Sequence, residues 1–204
     1  MTRRIVLATR NAHKVVELRE ILADTLAELD LQLVGLAEFP NVPDVVEDGV
    51  TFAENALLKA RAVAAATGLP ALADDSGLAV DVLGGAPGIF SARWSGRHGD
   101  DRANLELLLA QLADVRDEHR GAGFVCAAAL ALPDGRWHVE EGVFRGMLTR
   151  EPRGSNGFGY DPILQVEGDT RTSAELSPAE KNAVSHRGKA FRALSGTLTQ
   201  LLGS

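Results

Sequence analysis

The sequence predicts an α/β fold, with a mixed β-sheet and flanking helices. Short strand patterns and amphipathic helix patterns alternate along the 204 residues. In the second half of the chain, two apolar runs joined by Pro133-Asp134-Gly135 indicate an antiparallel hairpin, so the fold is not a pure alternation of parallel strands and helices. The length favours a single domain over residues 1–204, with room for two lobes.

The first part of the chain carries strand, helix and capping signals. Ile5–Leu7 is a short run rich in β-branched residues, and the apolar spacing from Val15 to Leu26 predicts a helix after it. Leu31–Leu36 predicts a second strand. Thr51-Phe52-Ala53-Glu54 has the spacing of a capping box, in which the Thr hydroxyl and the Glu carboxylate satisfy backbone donors at the start of a helix that runs to Gly68.

Turn signals divide the rest of the chain. Two short strands, Ala71–Ala73 and Leu78–Leu83, are predicted on either side of a turn at Asp74-Asp75-Ser76-Gly77. Further elements are predicted, in order, as a helix at Asp101–Val115, hairpin strands at Phe124–Leu132 and Trp137–Leu148, a strand at Ile163–Val166, a helix after the capping box Ser177-Pro178-Ala179-Glu180, and a final helix from about His186 to Leu202. Strands and helices are therefore mixed throughout the chain.

Composition and charge exclude several classes of protein. Lys and Arg total 21 against 28 Asp and Glu, and the resulting net charge of −7 argues against sequence-independent binding of nucleic acid. A mean hydropathy of −0.02 argues against a membrane protein. The lone Cys126 cannot form an internal disulfide, and the apolar stretch Ile5–Ala8 is too short for a signal-peptide core, so we expect a cytoplasmic protein.

Several catalytic signatures are absent from the sequence. The nearest approach to a phosphate-binding loop is Gly188-Lys189, which has Ala183 where the first glycine must lie. Gly154-x-x-Gly157-x-Gly159 has the wrong spacing for a dinucleotide fingerprint. Neither Gly-x-Ser-x-Gly nor His-Glu-x-x-His occurs. The candidate sites are therefore polar clusters at the junctions between elements.

Two clusters in the first half of the chain suit phosphate and metal chemistry. Thr9–Lys14 lies between a strand and a helix, where free backbone amides and a lysine suit an anionic phosphate, and a simple helix cap is the alternative. Glu47 and the pair Asp74-Asp75 offer carboxylates to a hard cation such as Mg²⁺. For Asp74–Gly77, an Asx turn between strands is the alternative.

Two clusters in the second half suit a flat ligand. Gly154–Pro162 places two aromatic residues among glycines, so that the backbone can approach a ligand while a ring stacks on it. A packed loop whose aromatic rings fill the core is the alternative. Lys181, Ser185-His186-Arg187-Gly188 and, earlier in the chain, Lys59 lie on predicted helices or at their ends, where a solvated surface is the alternative to a ligand site.

Taken together, the clusters resemble the inosine/xanthosine triphosphate pyrophosphatases, which hydrolyse deaminated purine nucleoside triphosphates to the monophosphate and pyrophosphate. The matching motifs are, in order, Thr9-x-Asn11-x-x-Lys14, Glu54-Asn55-Ala56-x-x-Lys59-Ala60, Asp74-Asp75-Ser76-Gly77-Leu78, Gly85-Ala86-Pro87-Gly88-x-x-Ser91-Ala92-Arg93, Phe158-Gly159-Tyr160-Asp161-Pro162 and Ser185-His186-Arg187-Gly188. The resemblance spans nearly the whole chain, and six motifs in the right order are far more specific than any one of them.

The resemblance implies a fold with two lobes around a central cleft, a homodimer, and a site that binds Mg²⁺ through Glu47 and Asp75. Asp75 also matches the position of the proton acceptor. The implied substrate-binding residues are Thr9, Asn11, Lys14 and Lys59 at the triphosphate, Arg10, Ala12 and His13 in the same first motif, Ser76, and Phe158, Gly159, Tyr160, Asp161, Lys181, His186 and Arg187 around the base. Arg10 departs from the family, in which this position is often small.

The chemistry of the reaction agrees with these assignments. Attack of water at the α-phosphorus requires neutralisation of the polyphosphate, which Mg²⁺ and lysines supply, and in-line placement of the water, which a carboxylate supplies. Metal binding makes Asp75 a weaker base, so we expect it to orient the water more than deprotonate it. Asp74 is an alternative for this role, and the sequence does not separate the two carboxylates.

Specificity is expected to come from the 6-position of the purine, where hypoxanthine and xanthine carry a carbonyl oxygen and adenine carries an amino group. Donors such as the Arg187 guanidinium would be left unpaired against adenine, at a cost of about 1–3 kcal/mol each. Guanine shares the 6-oxygen and must be rejected at its 2-amino group, for which Asp161 and nearby backbone carbonyls are the candidates.

Two other functions remain open from the sequence. One is a pyrophosphatase for other modified nucleotides, such as methylated or pyrimidine triphosphates. The other is a nucleotide-binding sensor that holds a triphosphate without hydrolysing it. The presence of Asp75, Glu47 and Lys14 together favours catalysis, because a passive binder does not need so many carboxylates beside phosphates.

Overall fold

The computed structural model describes residues 3–203. Its strands are β1 (Arg3–Leu7), β2 (Leu31–Gly35), β3 (Ala71–Val80), β4 (Gly121–Ala131), β5 (Trp137–Leu148) and β6 (Leu164–Val166). Its helices are α1 (Ala12–Ile21), α2 (Ala23–Glu28), α3 (Phe52–Thr67), α4 (Asp101–Gln111), α5 (Pro178–Val184) and α6 (His186–Leu202). Across these described residues, no helix combines the length and the apolar character that a membrane crossing requires.

The six strands form one sheet in the order β2-β1-β3-β4-β5-β6. Strand β1 is parallel to both of its neighbours, whereas β5 is antiparallel to β6. The connection 132–136 between the neighbouring strands β4 and β5 is too short for a parallel crossover, so this pair is the predicted hairpin. The mixed α/β sheet that the sequence predicts is therefore confirmed.

The chain divides into two compact units, and the first comprises the described residues up to Asp75, Cys126–Gly142 and those from Arg187 onward. Strand side chains in this unit alternate between two apolar clusters, because successive residues of a strand point to opposite faces. Ile5 packs with α1, α2 and α6 on one face, whereas Val6 packs with α3 on the other. This part of the sheet is therefore covered by helices on both faces.

The second unit comprises Ser76–Val125 and Val143–His186. Its core combines Leu78 of β3 and Phe124 of β4 with Leu108 of α4, together with side chains of β5 and β6. Strands β3, β4 and β5 contribute residues to both units. The predicted arrangement of two lobes around a cleft stays a prediction.

Helix boundaries follow their sequence signals closely. The Thr51 hydroxyl accepts a hydrogen bond from the Glu54 N–H (3.1 Å), and the Glu54 carboxylate accepts one from the N–H of Val50, one residue before the cap (2.6 Å). Ser177 and Glu180 exchange both bonds of a capping box at the start of α5. The final helix α6 begins and ends where it was predicted.

The predicted turn at Asp74-Asp75-Ser76-Gly77 is wrong, because these residues lie within one continuous strand, β3. A turn or water usually satisfies the polar groups of such a sequence. Here the first carboxylate is buried and is satisfied by the distant side chains of Lys14 and Arg187. The strand predicted to continue to Leu83 instead ends in a single turn of 3-10 helix.

Helix α4 ends at Gln111, before the predicted end at Val115. Two arginine side chains bind the carbonyls beyond this end. Arg120 donates from Nη1 to the Leu112 carbonyl (2.6 Å), and Arg150 donates from Nη2 to the Val115 carbonyl (3.1 Å). Cationic donors at a helix C-terminus satisfy carbonyls that have no partner within the helix, so the chain can leave the helix here.

The predicted first helix is present as α1 and α2, with a break at Leu22. The Leu22 N–H still donates to the Leu18 carbonyl (3.0 Å), and the Leu26 N–H donates to the Leu22 carbonyl (2.8 Å). All three leucines belong to the same apolar cluster. The break is therefore a local change of backbone conformation that leaves the buried face continuous.

Substitution Arg120→Met is expected to lower the free energy of unfolding by about 2–4 kcal/mol, because it leaves three carbonyls without a charged donor. The buried Arg120 guanidinium donates to the carbonyls of Leu112, Leu148 and Thr149 at 2.6–3.0 Å. Urea unfolding followed by circular dichroism measures the effect. The control is Arg102→Met, which removes an exposed guanidinium from α4 and should change stability little. Wild-type stability in Arg120→Met would contradict the prediction.

Candidate active site

The end of β1 and the start of α1 form a turn that suits an anion. Asn11 is the N-cap residue, and its Oδ1 accepts a hydrogen bond from the His13 N–H (2.9 Å). The Thr9 hydroxyl oxygen accepts one from the Asn11 N–H (3.2 Å), and Ala12 begins the helix. The Asn11 side chain thus caps α1, and the partial positive charge of a helix N-terminus favours an anion beside it. Phosphate binding at this turn stays a prediction.

Arg10 lies in the same turn but binds to the protein. Its Nη2 donates to the Val42 carbonyl (2.7 Å), and its Nε donates to Asp44 (3.2 Å). The Arg10 side chain therefore links this turn to the loop 42–50, which carries Glu47. A contact between Arg10 and substrate stays a prediction.

Buried Asp74 is the centre of a network of charged side chains. Lys14 Nζ contacts both Asp74 oxygens (3.1 and 3.2 Å), and Arg187 Nε donates to Asp74 Oδ2 (3.2 Å). Arg187 Nη1 also donates to both oxygens of Glu17 (3.0 and 3.3 Å). Since Lys14 and Glu17 both lie on α1, the network joins α1, β3 and α6.

The charges in this network decide the ionisation of Asp74. Burial alone would raise the pKa of Asp74, but the positive charges of Lys14 and Arg187, with a smaller contribution from Lys59, hold that pKa well below its usual range. Burial likewise opposes the charge of Arg187, yet Asp74 and Glu17 raise its pKa. Asp74 is therefore an anion that holds cationic groups in place, and it is a poor base.

Lys59 contacts both of the predicted metal ligands. Its Nζ lies 3.2 Å from Glu47 Oε1 and 3.7 Å from Asp75 Oδ1. The three side chains come from different parts of the chain, namely the loop before α3, helix α3 and strand β3. The fold thus brings together a pair of carboxylates that the sequence separates, with one positive charge between them.

The pKa of Asp75 is shifted in the opposite direction to that of its neighbour Asp74. Burial raises the pKa of Asp75, and the charges of Glu47 and Asp74 act in the same direction, against Lys59 and the hydrogen bond from Asn55. Asn55 Nδ2 donates to Asp75 Oδ2 (3.1 Å). Asn55 is not among the site residues predicted from the sequence, although its place beside Lys59 in the motif Glu54-Asn55-Ala56-x-x-Lys59-Ala60 was a usable signal.

This donor set fits a hard divalent cation. Glu47 and Asp75 supply carboxylate oxygens. The Lys59 ammonium contacts both side chains, so a single positive charge can interact with the two carboxylates together. Mg²⁺ is usually held by one or two carboxylates together with water and substrate phosphates. Over residues 3–203, no three His, Cys, Asp or Glu side chains are grouped to hold a metal.

The loop 154–162 in the second unit is organised around buried Asp161. Asp161 Oδ1 accepts a hydrogen bond from the Ser173 hydroxyl (2.8 Å), and Oδ2 accepts one from the Phe158 N–H (2.9 Å). Lys181 Nζ also contacts Oδ2. Because both oxygens bind to the protein, the position of the carboxylate is fixed. Recognition of the guanine 2-amino group by Asp161 stays a prediction.

An exposed aromatic ring lies on this loop. The Phe158 side chain is 68% exposed, and Lys181 Nζ lies 5.5 Å from its ring centroid. Gly157 precedes the ring with φ +76°, and a Cβ at this position would collide with the Asp161 carboxylate. The Gly159 N–H donates to Asp101 at the start of α4 (3.0 Å). The loop therefore presents a fixed flat surface with a cation beside it.

Tyr160 is a buried residue of the loop 154–162. Its hydroxyl donates to the Ser91 carbonyl (2.9 Å), and the Ser91 hydroxyl oxygen accepts the N–H of Leu78 (2.9 Å), two residues after Ser76. Burial raises the pKa of the Tyr160 phenol. Tyr160 thus connects the loop 154–162 to strand β3, and a direct contact with substrate stays a prediction.

The predicted site residues divide between the two units. His186 belongs to the second unit, where its ring stacks on Phe124 with the centroids 5.2 Å apart. The first unit contains Thr9, Arg10, Asn11, Ala12, His13, Lys14, Glu47, Lys59, Asp75 and Arg187, and the second contains Ser76, Phe158, Gly159, Tyr160, Asp161, Lys181 and His186.

The fold and the first unit's charged groups define an α/β protein in which a carboxylate pair and two lysines form a candidate site for phosphate chemistry. The model of the Ham1 family matches residues 5–197. The chain belongs to the Ham1 family, and the resemblance carried by the six motifs is confirmed.

Relatives and solved structures match over nearly the full length. The dITP/XTP pyrophosphatases of Streptomyces avermitilis and Streptomyces coelicolor are each 70% identical over 200 residues, spanning 98% of this chain and 99% of theirs. A HAM1 protein from Coxiella burnetii has a TM-score of 0.88 at 46% identity, covering 97% of this chain and 99% of its own. A nucleoside-triphosphatase / dITP/XTP pyrophosphatase from Mycobacterium abscessus has a TM-score of 0.80 at 53% identity, covering 96% and 98%.

Substitution Asp74→Asn is expected to lower the free energy of unfolding by about 3 kcal/mol at pH 7, because it leaves Lys14 and Arg187 without their buried anion. Since the folded-state pKa of Asp74 is lowered, its contribution is complete above the unfolded value near 3.9 and declines as pH falls below it. Urea unfolding at pH 7, 5, 4 and 3 measures the effect. The difference in free energy of unfolding between wild type and Asp74→Asn should become smaller below about pH 4.

The control for this pH dependence is Asp44→Asn, which removes an exposed carboxylate that pairs with Arg10. It should give no gap that changes with pH. A gap for Asp74→Asn that stays constant from pH 7 to pH 3 would show that ionisation of Asp74 does not stabilise the fold.

Proposed function

We propose that this chain hydrolyses ITP, dITP and XTP to the nucleoside monophosphate and pyrophosphate. Membership of the Ham1 family and the names of its relatives support this substrate class. The observation that carries the proposal is the joint contact of Lys59 with Glu47 and Asp75. Hydrolysis of a polyphosphate needs a carboxylate pair for a metal ion and cations for the phosphate charge, and these groups meet here.

In this proposal, residues of the first unit bind the triphosphate. The ammonium groups of Lys14 and Lys59 are the donors, and the partial positive charge at the start of α1 favours the anion beside them. Each lysine contacts a carboxylate, but an ammonium group has three N–H donors, so it can bind a phosphate oxygen as well. Asp74 keeps the Lys14 ammonium in position for this contact.

Glu47 and Asp75 are the residues that would hold Mg²⁺, which when bound neutralises phosphate charge. Asp75 accepts a hydrogen bond from the attacking water and aligns its oxygen with the α-phosphorus. A bond forms between the water oxygen and the α-phosphorus while the bond to the bridging oxygen breaks and pyrophosphate leaves. The proton lost by the water passes by way of Asp75 to solvent.

Asp74 is not proposed for this role, although it is the neighbour of Asp75. Its two oxygens bind Lys14 and Arg187, and its lowered pKa makes it a weaker base than an ordinary carboxylate. Asp75 instead shares the Lys59 ammonium with Glu47, the other proposed metal ligand. The geometry therefore supports Asp75 over Asp74, a choice that the sequence left open.

In this proposal, as the family resemblance implies, Phe158, Lys181 and Arg187 bind the purine base. Phe158 offers an exposed ring for stacking, and Lys181 offers a donor beside that ring. Arg187, the candidate donor to the 6-oxygen, uses Nε and Nη1 to bind Asp74 and Glu17. Nη2 makes neither of these contacts, so it is the proposed donor to the 6-oxygen that keeps this network intact. The homodimer and the cytoplasmic location stay predictions.

Substitution Asp75→Asn is expected to lower turnover of ITP by about 10²–10⁴-fold, because the amide cannot accept the proton and is a poor metal ligand. Burial disfavours the charge of Asp75, so the amide should leave the fold intact. Pyrophosphate release measures turnover, and circular dichroism measures folding. Asp48→Asn, which neutralises an exposed carboxylate next to Glu47 in the sequence, is the matched control. Wild-type turnover in Asp75→Asn would remove Asp75 from the mechanism.

The proposed activity is tested with ITP, XTP, dITP, ATP, GTP and dTTP in the presence of Mg²⁺, with pyrophosphate resolved from orthophosphate. We expect monophosphate and pyrophosphate from the first three substrates, because they carry the 6-oxygen and lack the guanine 2-amino group. Faster hydrolysis of a methylated or pyrimidine triphosphate would favour a pyrophosphatase for other modified nucleotides. Tight binding of ITP without turnover would favour a nucleotide sensor.

A further inference from the structure

Asn55 contacts both Asp75 and the loop that carries Glu47. Its side chain is buried in the first turn of α3. Nδ2 donates to Asp75 Oδ2 (3.1 Å), and Oδ1 accepts a hydrogen bond from the Gly49 N–H (2.9 Å). One amide group therefore connects the strand that carries Asp75 to the loop that carries Glu47.

The backbone of the loop is shaped to make this contact. A Cβ at Gly49 would lie 2.7 Å from Asn55 Oδ1 and 2.8 Å from the Cβ of Glu54. Any side chain at this position would therefore push the loop away from α3. The neighbouring Val50 N–H is held separately by the Glu54 carboxylate (2.6 Å). The loop is thus attached to α3 at two successive amides.

Asn55 and Lys59 act from the same face of α3, because residues four apart lie one above the other on a helix. Asn55 binds Asp75 Oδ2, whereas Lys59 lies near Asp75 Oδ1 and Glu47. The two Asp75 oxygens therefore have different environments. Asn55 occupies one of them with a neutral donor, and the other faces positive charge.

We propose that Asn55 is a positioning residue that sets the relative placement of Glu47 and Asp75 for a divalent cation. It restricts rotation of the Asp75 carboxylate so that Oδ1 faces the cation position, and it holds the loop so that Glu47 stays beside that position. This inference rests on the proposed function, since it concerns the carboxylate pair on which that function depends. Residues that orient metal ligands commonly change metal affinity or activity by about 10–100-fold when replaced.

The test compares wild type, Asn55→Leu, Gly49→Ala and the double variant. Leucine has the same branching as asparagine but makes neither hydrogen bond, whereas Gly49→Ala disturbs the loop contact and keeps the bond to Asp75. Mn²⁺ affinity is measured by electron paramagnetic resonance without nucleotide. We expect it to fall about 10–100-fold in Asn55→Leu and less in Gly49→Ala. Because both substitutions remove the same loop contact, the double variant should be little weaker than Asn55→Leu.

Two further measurements separate positioning from general stability. Hydrogen exchange of the Gly49 amide should become faster in Asn55→Leu, while the Val50 amide, which bonds to Glu54, stays protected. Turnover of ITP at saturating nucleotide should require about 10–100-fold more Mg²⁺ in this variant, with a smaller change in KM for nucleotide. The matched control is Asn104→Leu, since Asn104 is also a buried helical asparagine, whose Oδ1 accepts hydrogen bonds from Ser95. It should lose stability without losing Mn²⁺ affinity.

The outcomes distinguish this inference from the proposed function. Wild-type Mn²⁺ affinity in Asn55→Leu, or equal losses in Asn55→Leu and Asn104→Leu, would overturn the role of Asn55. Absence of Mn²⁺ binding in wild type would overturn it as well. If Asn55→Leu does not fold, a loss of Mn²⁺ affinity in Gly49→Ala supports the loop half, and unchanged affinity overturns it. Failure of wild type to hydrolyse any triphosphate would refute the proposed function alone, because Mn²⁺ binding and amide exchange do not depend on turnover.

Discussion

The first unit depends on the pairing of a single buried carboxylate. Removing an ion such as Asp74 from water costs several kcal/mol unless close opposite charges and hydrogen bonds compensate. Lys14 from α1 and Arg187 from α6 supply that compensation. The two helices must therefore pack on the same side of β3, and the turn at the start of α1 is held next to this strand. The pairing of Asp74 with Lys14 and Arg187 therefore fixes both the packing of α1 and α6 on β3 and the position of the turn at the start of α1.

Two adjacent carboxylates have opposite properties because side chains alternate across a strand. Asp74 faces α1 and α6, where cations surround it and lower its pKa. Asp75 faces α3, where burial raises its pKa and Asn55 and Lys59 are its partners. A continuous strand thus produces a structural anion and a candidate catalytic group from neighbouring residues. A turn at this position would have exposed both carboxylates to water and removed the difference between their pKa values.

Helix α3 organises the other side of the site through its first turns. Thr51 caps the helix, Glu54 binds the Val50 amide, Asn55 binds the Gly49 amide, and Lys59 contacts Glu47. The capping motif, recognisable as a local signal, therefore also anchors a functional loop. In the second unit, Asp161 has the same kind of role for the loop 154–162, because its buried oxygens hold backbone and side-chain donors.

The α/β class, most helix starts, the hairpin and the final helix can be predicted from the sequence alone, because capping boxes, turn residues and apolar periodicity act over a few residues. The six motifs likewise identified the family, since side-chain identity at fixed spacing is visible in one dimension. The three-dimensional structure was needed to show that Asp74–Gly77 continues a strand, that Tyr160 is buried, and that Asn55 joins Asp75 to the loop that carries Glu47. These features rest on ion pairs and hydrogen bonds between distant segments, and such contacts leave no local pattern in the sequence.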